Sequence, residues 1–163
     1  MAILARDIME RDVRTVDPDM SLAALEDTLL QHRIGGAPVV ERGELIGIVS
    51  RSDIVRTLSL DRSLTGVVSD FYRQIVDFSG EPAANAWKRA QGVEQHLAKR
   101  QVRDAMTPEL ITVPPDATLA QVARLMVERH IHRLLVTTGK QLLGLISSTD
   151  LVQLIADGGV REA

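Results

Sequence analysis

Gly47-Ile48-Val49-Ser50-Arg51-Ser52-Asp53 returns 97 residues later as Gly144-Leu145-Ile146-Ser147-Ser148-Thr149-Asp150. In both copies an apolar run gives way to hydroxyl side chains and then to a carboxylate. Working outward from these segments, the same register holds without a gap from Arg6 to Val55 and from Arg103 to Val152. Of the 50 paired positions 16 are identical, where unrelated sequence would give roughly 3. Arg6/Arg103, Asp7/Asp104, Met9/Met106, Thr15/Thr112, Pro18/Pro115 and Ile34/Ile131 are among them. The chain carries a duplicated unit.

Each copy reads as β-α-β-β-α. Thr15-Val16 and Leu110-Ile111-Thr112-Val113 are short strands, stopped by Pro18 and by Pro114-Pro115. A helix follows, with Ser21 or Thr118 as N-cap, and Thr118 with Gln121 forms a capping-box pattern. In the second copy Leu119, Val122, Ala123, Met126 and Val127 repeat at helical spacing and predict one buried face. Two β-rich runs meet at the turns Arg42-Gly43 and Gly139-Lys140. A last helix starts near Asp53 or Asp150. The methionines Met9, Met106 and Met126 read as core.

The repeats are expected over 3–58 and 100–156, with a helical insert over 59–99 and a tail over 157–163. Within the insert, Val67, Val68, Phe71, Tyr72, Ile75 and Phe78 predict one helix, and 83–100 a second, basic one. All four aromatic residues, Phe71, Tyr72, Phe78 and Trp87, fall in that insert.

Composition narrows the function classes. The 163 residues are 45% hydrophobic with a net charge of −3, which excludes general disorder and argues against nonspecific nucleic-acid binding. No apolar run reaches the roughly 18 residues of a membrane span, so no membrane insertion is expected. An early charged pair, Arg6-Asp7, is not the opening of a signal peptide. With no cysteine there is no disulfide or thiolate site, and a cytoplasmic location is expected. His130 and His132, two apart, find no third partner for a metal. No phosphate-loop, zinc-protease or nucleophile-elbow motif occurs, so no enzyme activity and no required cofactor are expected.

The strand-to-helix junctions carry the chemistry. A helix N-terminus offers free N–H groups and a positive dipole end to an anion, and Ser or Thr hydroxyls add donors. A nearby carboxylate can accept both hydroxyls of a ribose. The combination suits a nucleotide. The same residues also suit an ordinary N-cap, and from the residues alone both readings stand.

The duplication, the β-α-β-β-α order and the Gly-h-h-Ser-x-Ser/Thr-Asp endings resemble the cystathionine beta-synthase (CBS) domain family, whose tandem pairs are called Bateman modules. Arg6-Asp7-Ile8-Met9, Arg103-Asp104-Ala105-Met106-Thr107 and Ile34-Gly35-Gly36-Ala37-Pro38-Val39-Val40 look like its opening and its middle strand. The resemblance implies an α/β (α+β) fold of two pseudo-twofold-related repeats packed together. It implies an adenine nucleotide (AMP, ADP or ATP) or an adenosyl compound bound in clefts between them. By matching motif, Asp53 and Asp150 would take ribose; Ser50, Ser52, Ser147 and Thr149 would lie near phosphate; and Thr15-Val16 and Thr112-Val113 would hold the adenine edge. His132-Arg133 resembles the variant that brings His and Arg to phosphates, whereas the first copy has Gly35-Gly36 there. A stand-alone regulatory module that signals to a partner protein is the leading reading; a structural dimerisation module without a ligand is the other. A homodimer is expected in either case, since tandem modules of this family often pair.

Overall fold

The computed structural model describes residues 3–59 and 93–158. Along the chain the elements are α1 (Ala5–Ile8), α2 (Leu22–Gln31), β1 (Gly36–Glu41), β2 (Glu44–Ser50), α3 (Arg51–Ser59), α4 (Val93–Lys99), α5 (Val102–Ala105), β3 (Thr112–Val113), α6 (Leu119–Arg129), β4 (Arg133–Thr138), β5 (Gln141–Ser147) and α7 (Ser148–Ala156). Shifting α1, β1, β2 and α3 by 97 residues reproduces the bounds of α5, β4, β5 and α7; α6 exceeds its counterpart α2 by one residue. The duplication is therefore one of backbone as well as sequence.

The described chain forms two compact units. One comprises the residues through Arg14, the segment Arg42–Leu45 and the chain from Glu109 onward. Its sheet has the order β3-β4-β5, with β3 parallel to β4 (Thr112↔Leu135, Val113↔Val136) and β4 antiparallel to β5. Val113, Val122, Met126, Leu134, Val136 and Ile146 are buried together there, joined by Ala5 of α1. Burying a side chain of this size contributes roughly 1.5–3 kcal/mol, so the apolar faces dominate.

The other unit comprises Thr15–Glu41 and Ile46–Pro108. The strands β1 and β2 pair in it, and Val16 adds a parallel bridge to Val39 through Val16 N–H to Pro38 O (3.0 Å) and Val40 N–H to Val16 O (3.0 Å). Leu22, Leu25 and Leu29 of α2 and Ile54, Val55 and Leu58 of α3 share a core with Val93 and Leu97 of α4. That helix packs on α2.

Each unit takes its first helix from the opening of the other repeat. Ala5 N–H donates to Ala117 O (2.8 Å) and Glu10 exchanges a pair of 2.9 Å hydrogen bonds with Leu145. Correspondingly, Val102 N–H donates to Met20 O (2.8 Å) and Thr107 exchanges bonds of 2.8 and 3.0 Å with Ile48. Arg103, beside this contact, pairs with Asp19 and lies 3.2 Å from Glu41. Hydrogen bonds to Asp19 first, and then to Glu41, raise its pKa above the ordinary arginine value.

Several sequence expectations are met in detail. Ser21 Oγ accepts from Ala24 N–H at 3.1 Å, and Thr118 with Gln121 forms the full capping box. Others need correction. Leu110 and Ile111 lie outside the short strand, which holds only Thr112 and Val113. Val127 is 72% exposed, because the buried face of α6 centres on Val122 and Met126, and the next residue turns about 100° away. The last helices do begin near the carboxylates, at Arg51 and Ser148, with Ser147 as the N-cap and Asp150 one turn inside. His130 ends α6 in the left-handed conformation (φ 53°). Of the insert, α4 falls within the expected second helix; the first helix and all four aromatics lie outside the described residues.

Candidate strand-to-helix nucleotide site

Both junctions are built the same way. Ser147 N–H and Ser147 Oγ–H each donate to Asp150 Oδ2 at 2.7 Å, and Asp150 N–H returns a bond to Ser147 Oγ at 3.2 Å. In the first repeat Ser50 N–H and Ser50 Oγ–H donate to Asp53 Oδ2, both at 2.8 Å. A further hydrogen bond locks each turn: Ser148 N–H to His132 O (2.9 Å) and Arg51 N–H to Gly35 O (3.1 Å). The carboxylates are thus fixed by local capping chemistry before any ligand is considered. The two serines donate their hydroxyl protons to the carboxylates.

What remains open differs between the copies. Asp150 is half-buried, and its Oδ1 accepts no hydrogen bond among the described residues. Asp53 is 6% exposed, and its Oδ1 accepts from Arg56 Nη2 at 2.7 Å. Arg56 stands one turn along α3. Its counterpart Gln153 donates to Asp157 instead, at 3.1 and 3.2 Å. Sequence reading missed Arg56, though a cation three residues after a carboxylate on one helix is a recognisable pairing signal.

Within each unit the matching candidates converge on one sheet end. In the unit holding β3-β4-β5, Thr112 and Val113 lie on one edge strand, Arg133 on the central strand and Ser147 at the end of the other edge strand. Two strand spacings, about 10 Å, separate the edges. Thr149, His132 and Arg133 are exposed, Thr112 is half-buried and Val113 is buried. In the other unit Thr15 and Ser52 are exposed and Val16 is buried.

The motif glycines serve packing. A Cβ on Gly47 would stand 2.8 Å from Met106 Sδ, and one on Gly144 would stand 2.7 Å from Glu10 O and 2.8 Å from Met9 Sδ. Met9 and Met106 are half-buried against the cores, in keeping with their reading as core residues. Among the described residues no group of three or more His, Asp or Glu is arranged to hold a metal ion.

The CBS domain family matches the chain twice, at residues 5–60 and 102–157. The chain belongs to the CBS domain family. It is 31% identical over 155 residues to the uncharacterized protein MJ1426 of Methanocaldococcus jannaschii, covering 93% of this chain and 90% of that protein. Among solved structures, the CBS domain of a CBS-domain-containing membrane protein from Sphaerobacter thermophilus matches with a TM-score of 0.67 at 27% identity, over 94% of this chain and 88% of that one. The CBS domain pair of protein MJ0100, solved with 5-methylthioadenosine and S-adenosyl-L-methionine, matches with a TM-score of 0.65 at 19% identity, over 97% and 99%. That last likeness is one of fold. The expected CBS pair fold is thus present, and no helix among the described residues is long and apolar enough to cross a membrane.

Proposed function

We propose that this chain is a regulatory module that binds an adenosine-type nucleotide or adenosyl compound and passes its occupancy to a partner protein. Asp150 takes the ribose hydroxyls. Thr149, His132 and Arg133, beside the Ser147 turn, receive the phosphates or another polar substituent, and Thr112-Val113 receives the adenine edge. Ser50, Ser52, Asp53, Thr15 and Val16 stand at the equivalent positions of the first repeat.

The observation that carries this reading is the Asp150 carboxylate. It is held rigidly through Oδ2 by Ser147, while Oδ1 makes no bond among the described residues. Two hydroxyls on adjacent carbons match such an acceptor, and a fixed acceptor loses little entropy on binding. Arg133 and His132, exposed beside the same turn, supply cationic and hydrogen-bonding groups for an anionic tail. Membership of the CBS family and the adenosyl ligands of the MJ0100 pair support the ligand class. No enzymatic step is assigned to these residues. The module acts in the cytoplasm in this reading, with which a cysteine-free chain is compatible.

The module pairs with a second copy in this reading. Val127 on α6 and Val152 and Ile155 on α7 are 72%, 64% and 62% exposed. The counterparts of Val152 and Ile155 on α3, Val55 and Leu58, are 1% and 2% exposed in a core shared with α4. The α6–α7 face therefore presents apolar surface of the kind that a twofold contact covers.

A thermal-shift panel of AMP, ADP, ATP and S-adenosylmethionine tests the binding. A ligand at 100 times its Kd adds about 2.7 kcal/mol of stability. No shift with any of the four contradicts the reading and favours the purely structural module.

A further inference from the structure

We propose that Arg56 closes the first repeat's site by occupying Asp53, so that each chain takes up one nucleotide, in the second repeat. This rests on the ribose-to-carboxylate reading given above. A carboxylate has about four acceptor positions, two on each oxygen. At Asp150, Ser147 fills two of them on Oδ2 and leaves Oδ1 for a bidentate diol. At Asp53, Ser50 fills the same two, and the Arg56 guanidinium takes one of the two on Oδ1 at 2.7 Å, so a bidentate diol no longer finds both.

The competition favours the arginine. Its hydrogen bond is charge-assisted on both sides, whereas a ribose hydroxyl is a neutral donor. The guanidinium keeps its charge at every working pH. A second acceptor anchors it, since Arg56 Nη2 also lies 3.3 Å from Ala105 O. Burial acts in the same direction: the Asp53 side chain is 9% exposed, and Arg56, at 62%, lies on its solvent side. At the corresponding position of the second repeat, Gln153 turns away toward Asp157 and leaves Asp150 open.

Reciprocal exchange of the two residues tests this in the full chain. Wild type, R56Q and Q153R are titrated calorimetrically with AMP, ATP and S-adenosylmethionine in turn, with D53N added on R56Q and D150A run alongside. Wild type is expected to bind one molecule per chain. R56Q is expected to gain a second site, within about tenfold of the first, that D53N removes again; Q153R is expected to weaken the original site about tenfold. Arg56 is mostly exposed, so R56Q retains the fold, and circular dichroism verifies this. If R56Q still binds one molecule, or wild type already binds two, the role of Arg56 is overturned while the nucleotide reading stands. If wild type binds none of the three, or D150A binds like wild type, the nucleotide reading fails and this inference fails with it.

Discussion

Met9 lies against the bare backbone of Gly144, its Sδ 2.8 Å from where a Cβ on that residue would stand. The duplicate contact, Met106 on Gly47, has the same 2.8 Å spacing. In each case the methionine comes from the opening of one repeat and the glycine from the body of the other. The glycines are the points at which the two repeats are interlocked, and alanine at either position must displace something. At Gly144 the obstruction includes backbone, Glu10 O at 2.7 Å; at Gly47 the nearest backbone atom is Thr107 O at 3.1 Å. A thioether can swing aside, whereas a paired backbone segment cannot. Gly144→Ala is expected to destabilise by about 2–3 kcal/mol and Gly47→Ala by about 1 kcal/mol. Urea unfolding of both variants checks the order as well as the size.

The capping boxes make a separable contribution. Ser147 Oγ both donates to Asp150 and accepts from its N–H, so Ser147→Ala removes two hydrogen bonds from the first turn of α7. The expected loss is about 0.5–2 kcal/mol in thermal or chemical unfolding. Nucleotide affinity should fall as well, since the Asp150 rotamer loses its tether.

On the α6–α7 face, Val152→Asp together with Ile155→Asp is expected to yield a folded monomer. Both side chains are more than half exposed, so the charges cost the single chain little. Val55→Asp at the matching position of the first repeat should unfold the protein, because an unpaired charge would enter a site that is 1% exposed. Light scattering with circular dichroism distinguishes the cases. A wild-type monomer at micromolar concentration contradicts the pairing.

Arg133→Ala is expected to weaken ATP and ADP about tenfold while changing adenosine affinity little, because in the proposed binding mode it meets phosphate charge. Equal losses for all three ligands would place Arg133 elsewhere in the binding scheme. Raising salt should likewise weaken ATP more than adenosine.

Much of this was legible in the sequence, for identifiable reasons. The 97-residue register located both copies of each element because Gly47/Gly144, Ser50/Ser147 and Asp53/Asp150 are identical and ungapped. Ser21 and Thr118 could be read as caps because capping is local chemistry. The exchange of openings was not legible. Met9 and Met106 are the same residue type facing the same glycine, so either pairing satisfies local packing, and only the course of the chain decides between them. Val127 was misplaced for a related reason: in helical spacing it looks like the edge of a buried face, and whether that edge is covered depends on a neighbouring helix. The first repeat has α4 packed on α2, whereas Val127 stands 72% exposed on α6. The difference between Asp53 and Asp150 also escaped the motif comparison, since it lies at Arg56 and Gln153, outside the shared segment.

In the proposed binding mode Asp150 receives the ribose of an adenosine-type ligand, and calorimetric titration of wild type against Asp150→Ala measures that contact. Two hydroxyl donors on a charged acceptor predict a loss of roughly 1.5–3 kcal/mol, about 10- to 150-fold in affinity, for whichever of AMP, ATP or S-adenosylmethionine wild type binds. A folded Asp150→Ala protein that binds the same ligand with wild-type affinity would contradict the assignment.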